Sequence, residues 1–133
     1  MDRLFLDANV LFSAAYRADA GVVRLWEADG VGLVTSEYAI EEARRNLHGV
    51  EQRTRLDGLL AGVERVPAGT LAPDQRMGIE LREKDWPILA GAVHAGATHL
   101  ITGDHRDFGP YFGTRILGVF VQTPSEYLYG GTE

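Results

Sequence analysis

Five short apolar runs divide this chain: "RLFL" (3–6), "VGLVT" (31–35), "VERV" (63–66), "THLIT" (98–102) and "ILGVFV" (116–121). They are β-branched or continuously apolar and bounded by polar or Gly/Pro positions, so they read as buried strands. Between them lie segments with helical spacing: "VLFSAAYR" (10–17), "VVRLWEA" (22–28), "EYAIEEARRNLH" after the N-cap candidate Ser36, and "ILAGAVHAG" (88–96). Ile40, Ala43 and Leu47 recur at helical intervals, as do Ile88, Leu89, Ala92 and Val93, with Gly96 at the C-terminal cap. "RTRLDGLLAG" is a weaker helix, interrupted by Gly58. Strands that alternate with helices predict a central parallel sheet of about five strands in an α/β fold, with helices on both faces. The 133 residues suit one domain, expected over 1–129, with "GGTE" (130–133) as a loose tail.

In such sheets chemistry collects where strands end, near the point at which strand order reverses. Asp7 and Asp104 each fall just past a predicted strand. "HLITGDHRDFG" (99–109) therefore poses a choice. Asp and Gly suit turns, and Asp caps helices, so each acid taken alone reads first as punctuation. The set is harder to dismiss. Asp85 precedes Ile88, Leu89 and Ala92 by three, four and seven residues, which extends a buried stripe toward the sheet edge. An acid on that line is either costly or useful. Glu41 and Glu42 flank the stripe of their helix almost symmetrically; counting Ala39 tips the choice slightly to Glu42, and periodicity alone leaves both open. Asp107 lies close behind Asp104.

Carboxylates gathered in one cleft repel each other and require protons or cations. The chain has no Cys, and its His residues lack ligand spacing, so the donors on offer are oxygens. That favours Mg²⁺ or Mn²⁺ over Zn²⁺. A metal-bound water as nucleophile and a phosphodiester as substrate follow. The formal net charge of −6 argues against broad nucleic-acid binding, but a bound cation and nearby Arg residues can reverse the local field. The lack of Cys fits a cytoplasmic protein. No apolar run approaches the ~18 residues of a membrane span, and "MDRLFLDANV" lacks a signal-peptide layout.

At these residues the sequence resembles the PIN-domain family of metal-dependent ribonucleases. The resemblance runs through "LFLDANVLFSA", "TSEYAIEEARRNL", "KDWPILAGAVHAGATHLITGDHRDFG" and "VQTPSEYL". Its most specific parts are a first strand ending in Asp-x-Asn and a late Leu-x-Thr-Gly-Asp-x-x-x-Phe. The similarity implies a three-layer α/β/α sandwich. It puts catalytic acids at Asp7, Glu42, Asp85 and Asp104, and Mg²⁺ or Mn²⁺ on Asp7, Asp85, Asp104 and Asp107. Asn9 and Thr102 match the small polar residues that support the site. Many members are VapC-like toxins that cleave RNA and are silenced by an antitoxin protein, and homodimers are frequent among them. One departure stands out. Many members carry two acids before the helix of the third block, whereas in "REKDWP" only Asp85 is in place, beside Lys84.

Lys84 and Arg106 are the basic residues best placed to meet substrate. Arg44, Arg45, Arg53 and Arg55 read as a solvated face with pairs such as Glu41–Arg45. Trp26 and Trp86 read as packing residues. A haloacid-dehalogenase-like phosphatase would need an acid two residues after Asp7 to protonate its leaving group, and Asn9 stands there. A receiver domain would need an Asp at the end of the third strand, and "VERVPAG" has none. A non-catalytic PIN-like module that binds RNA or a protein is the alternative from a different class.

Overall fold

The computed structural model describes residues 1–130; of the expected tail, 131–133 lie outside the described residues. Strands β1 (Asp2–Leu6), β2 (Val31–Ser36), β3 (Glu64–Val66), β4 (His99–Ile101), β5 (Arg115–Ile116) and β6 (Val119–Gln122) form one sheet in the order β3-β2-β1-β4-β6-β5. All neighbours are parallel except β5 and β6. Helices α1 (Ala8–Tyr16), α2 (Glu37–Arg45), α3 (Val50–Leu60), α4 (Pro73–Arg76), α5 (Trp86–His94) and α6 (Pro124–Tyr129) connect and cover it, with 3₁₀ turns at Gly21–Glu27, Glu83–Asp85 and Gly109–Tyr111. Leu4, Phe5 and Leu6 are consecutive and all fully buried. Successive side chains of a strand point to opposite faces, so both faces of the sheet are covered, as the expected α/β/α layering requires.

Three expectations change in detail. The sheet has six strands rather than about five, because "ILGVFV" is not one strand. Leu117 and Gly118 adopt φ 52° and 86°, the left-handed pair of a two-residue turn, and the segment folds back as the β5–β6 hairpin. Leu117 lacks glycine's tolerance of that region, so the turn sits there at some steric cost. Residues 22–28, expected to be helical, form the 3₁₀ turn Gly21–Glu27. The weak "RTRLDGLLAG" helix belongs to α3, which runs without a break through Gly58.

The chain lays β2 and β3 to one side of β1, then returns to place β4 on the other side. The reversal point therefore lies between the carboxyl ends of β1 and β4. The backbone closes that seam directly, since Asp7 N donates to Ile101 O at 3.1 Å. Helix α5 is drawn in beside it at Gly91. A Cβ built there would stand 2.8 Å from Phe5 Cζ, 2.9 Å from Phe5 Cε2 and 3.4 Å from Ser36 Cβ.

Gly91→Ala tests that close approach. Alanine should gain up to about 1 kcal/mol of helix propensity. The buried Phe5 ring, however, has to move, and overpacking a core costs about 1–3 kcal/mol. We expect a net loss of stability of about 1 kcal/mol or more in urea unfolding. A variant more stable than the wild type would mean that α5 sits farther from β1 than described.

Candidate active site

The carboxyl end of β1 delivers Asp7, which is only 4% exposed. Its Oδ1 accepts from Ala8 N at 2.6 Å, so Asp7 does cap α1. Its Oδ2 accepts from Thr102 Oγ1 at 2.8 Å and from Asn9 Nδ2 at 3.2 Å. Asn9 reaches across the seam as well: its Nδ2 lies 3.2 Å from Thr102 Oγ1, and its Oδ1 accepts from Gly103 N at 2.8 Å. Thr102 Oγ1 in turn accepts from Asp104 N at 3.0 Å. Six positions from two strand ends thus form one hydrogen-bond network, with Asn9 and Thr102 orienting Asp7. Burial pushes the Asp7 carboxyl up to about 6, partly offset by the bonds from Thr102 and Ala8, and the nearby Asp104 and Glu42 charges push in the same direction as burial.

Asp104 is both punctuation and a candidate for chemistry. Its Oδ1 accepts from Arg106 N at 3.1 Å and Asp107 N at 3.0 Å, which closes the turn after β4. The same turn brings Asp107 toward Asp85, and one oxygen each from Asp85, Asp104 and Asp107 lies within 4.8 Å of the others. Asp85 ends the Glu83–Asp85 turn at the N-terminus of α5, yet its side chain makes no capping bond. It is 4% exposed, and its Oδ2 has no hydrogen-bond donor among the described residues. Burial drives Asp85 up to about 7, assisted by a hydrogen bond with Asp107 and opposed by Lys84. Asp107 is held low, first by that bond with Asp85 and then by Arg82 and Lys84, so the two carboxylates shift in opposite directions. Lys84 Nζ lies 3.5 Å from Asp85 Oδ1 and 3.4 Å from Asp107 Oδ2; Arg82 Nε lies 3.1 Å from Asp107 Oδ1.

A cleft of about 520 Å³ opens over these groups, lined by Asp7, Asn9, Phe12, Glu42, Asn46, Lys84, Asp85 and Asp104. Glu42 lines it and its charge reaches Asp7, whereas Glu41 is exposed. Helix α2 is set by its Ser36 cap, whose Oγ accepts from Ala39 N at 3.2 Å, and by the buried Ala39, Ile40 and Ala43. That rotation aims Glu42 at the cleft. Asp107 and Arg106 do not line it. They border a neighbouring depression with Arg82 and Tyr111. The donor set is entirely oxygen and includes a buried carboxylate oxygen with no donor. Those features fit a hard divalent cation.

The remaining expectations fall mainly on the structural side. Arg44 pairs with Asp57 at 2.7 Å, Arg53 bonds Leu47 O and Arg55 bonds Ala15 O. The anticipated Glu41–Arg45 pair is not formed among the described residues. Trp26 donates to Leu59 O, and the Arg76 guanidinium lies over Trp86 at 4.1 Å. Four contributors were not anticipated: Phe12, Tyr38, Asn46 and Arg82. Tyr38 precedes Glu42 by four residues and so shares its helix face; its hydroxyl donates to Lys84 O at 2.8 Å. Asn46 follows Glu42 at the same interval. Arg82 carried no such signal, since only the fold brings it to Asp107.

No family model and no curated protein matches the sequence. Solved structures do match. The chain aligns with VapBC2 from Rickettsia felis, bound to a DNA fragment from its promoter, at TM-score 0.62 and 14% identity, over 91% of this chain and 98% of the other. DNA-bound VapBC from Salmonella typhimurium gives 0.61 at 18% identity, over 93% and 99%. Mycobacterium tuberculosis VapC20, a sarcin-ricin-loop-cleaving toxin, gives 0.52 at 16% identity, over 76% and 91%. At these identities the likeness concerns the fold: the chain has a VapC-like PIN-domain fold.

The raised Asp7 carboxyl has a pH signature. Because its folded value is about 6 against a usual 3.8, the folded state holds this proton more tightly than the unfolded chain. Stability from this group is therefore lost as pH rises from about 4 to about 6. Asp7→Asn removes the charge but sacrifices bonds from Thr102 and Asn9, so we expect a net gain of about 1 kcal/mol at pH 7 in EDTA. The stability of the variant relative to wild type should improve steadily between pH 4.5 and 7 in urea melts. A difference that moves the other way would mean that the Asp7 charge serves the fold as a cap.

Proposed function

We propose that this chain is a Mg²⁺- or Mn²⁺-dependent endoribonuclease that hydrolyses RNA phosphodiester bonds, and that it is the toxin of a toxin–antitoxin pair. The observation that carries the reading is the convergence of Asp7, Glu42, Asp85 and Asp104 on one cleft at the strand-order reversal. Few arrangements of buried like charge are tolerated unless a cation uses them. Asp7, Asp85 and Asp104, with Asp107 behind them, would hold the metal. When bound, the metal supplies an activated water and stabilises charge on the phosphoryl and leaving oxygens. The residues of the chain do the rest. Asn9 and Thr102 fix the rotamer of Asp7. Glu42, across the cleft, accepts a proton from the attacking water. Lys84 and Arg106 meet phosphates on either side of the acids. The VapBC neighbours, which are toxin–antitoxin assemblies, support an antitoxin partner here, and we extend the reading to a homodimer acting in the cytoplasm. Among the described residues no helix is long and apolar enough to cross a membrane.

One observation favours a second reading. Arg82 and Lys84 already neutralise Asp107 and Asp85, as they would in a PIN-like module that binds RNA or a protein without cutting.

Cleavage assays on structured and single-stranded RNA separate the two. We expect Mn²⁺- or Mg²⁺-dependent cutting that EDTA abolishes. Asp7→Asn and Asp104→Asn should each lower the rate by roughly 100-fold or more, and Glu42→Gln by at least roughly 10-fold. Glu41→Gln should stay within about twofold, as a surface substitution away from the cleft does. RNA retained without metal-dependent cleavage would favour the binding module. Loss of activity in Glu41→Gln with Glu42→Gln unaffected would reverse the helix assignment.

A further inference from the structure

The acid cluster is divided by its neighbours. On one side, Asp7, Glu42 and Asp104 have no Lys or Arg within ion-pair distance among the described residues. On the other, Asp85 and Asp107 are already served. Lys84 Nζ stands 3.5 Å from one and 3.4 Å from the other, and Arg82 Nε stands 3.1 Å from Asp107. The two oxygens of Asp107 thus face different cations: Oδ1 the guanidinium, Oδ2 the ammonium. Asp85 and Asp107 also belong to the three-acid group whose oxygens lie within 4.8 Å. The ammonium therefore contacts two of the three carboxylates that a divalent ion would bridge.

The backbone holds Lys84 in place while its side chain stays free to leave. Its carbonyl accepts from Tyr38 Oη at 2.8 Å, and the turn around it is closed by Asp85 N donating to Arg82 O at 2.9 Å. The side chain, however, is 55% exposed. Lysine is a compact point charge on a flexible four-carbon stem, with no fixed fork to lock it to a carboxylate. An exposed ammonium of this kind binds carboxylates weakly. It can be displaced by a divalent ion but imposes a cost on that ion.

We propose that Lys84 is a tethered competitor for the divalent cation on the Asp85–Asp107 side of the cluster, and that it sets how tightly the site holds metal. The inference rests on reading the cluster as a metal site. With metal held by Asp85 and Asp107, the ammonium would swing toward the cleft that Lys84 already lines, where a phosphate would be bound. Metal loading and substrate contact are then coupled through one side chain. Without metal, the same ammonium reduces repulsion between the acids.

Calorimetric titration with Mn²⁺ alone, in the absence of RNA, tests this on wild type, Lys84→Met and Lys84→Arg. Lys84→Met should bind Mn²⁺ roughly three- to tenfold more tightly, the scale of a partly exposed ion pair. Lys84→Arg, which keeps the charge and adds a fork that grips carboxylates, should bind Mn²⁺ no more tightly than wild type. In EDTA, Lys84→Met should melt below wild type, and saturating Mn²⁺ should close or reverse that gap. Arg82→Gln, read the same way, should shift Mn²⁺ affinity in the same direction. Unchanged or weaker Mn²⁺ binding by Lys84→Met, beside clear binding by wild type, overturns the proposal and leaves the metal site standing. Absence of Mn²⁺ binding in every variant overturns the metal-site reading, and the competitor with it.

Discussion

The seam between β1 and β4 is the constraint on which the site depends. Two adjacent parallel strands end side by side at the strand-order reversal, and Asp7 N donates across the seam to Ile101 O. Immediately beyond, Thr102 Oγ1 donates to Asp7 and accepts from Asp104 N. One hydroxyl therefore sets the position of two acids that lie 97 residues apart in sequence. Asn9 adds a second tie through Gly103. These bonds let a buried carboxylate stay oriented although burial alone disfavours its charge.

The rest of the fold brings further acids to that seam. Ser36 starts α2 at the end of β2 and turns Glu42 inward. The Glu83–Asp85 turn leads into α5, which Gly91 allows to lie tight against Phe5. A carboxylate at the start of a helix normally satisfies backbone N–H groups, and Asp7 does so. Asp85 does not, although it holds the equivalent position on α5. Its unpartnered oxygen costs stability, which the well-buried stripe of Ile88, Leu89 and Ala92 behind it can offset.

The charges around the cluster differ in character. Asp7 is surrounded by neutral donors and is held by hydrogen bonds; Asp107 is surrounded by cations and is held by ion pairs. Neutral donors fix geometry without cancelling charge, so they leave Asp7 available to a cation. Arg82 and Lys84 offset the charge of Asp107. Lys84, beside Asp85 in "REKDWP", thus shapes the electrostatics on the Asp85–Asp107 side of the cluster.

Much of this was legible in the sequence, because period and punctuation are local properties. The strand–helix alternation, the strand-end positions of Asp7 and Asp104, and the stripe that carries Asp85 all follow from residues within a few turns of one another. The hairpin at Leu117–Gly118 was not legible, since a six-residue apolar run reads as one strand and nothing local demands a left-handed leucine. Nor did periodicity choose between Glu41 and Glu42: they flank the apolar stripe nearly evenly, and the rotation of α2 against its neighbours decides which one enters the cleft. The grip of Arg82 and Lys84 on Asp107 joins chain segments more than twenty residues apart, through a turn whose path is set by packing. The sequence by itself determined the layers, the strand ends and the acids that stand there. The tertiary structure alone decided which carboxylates perturb one another, which are orphaned and which are paired, because those outcomes depend on distances of a few ångströms between side chains that no local pattern relates.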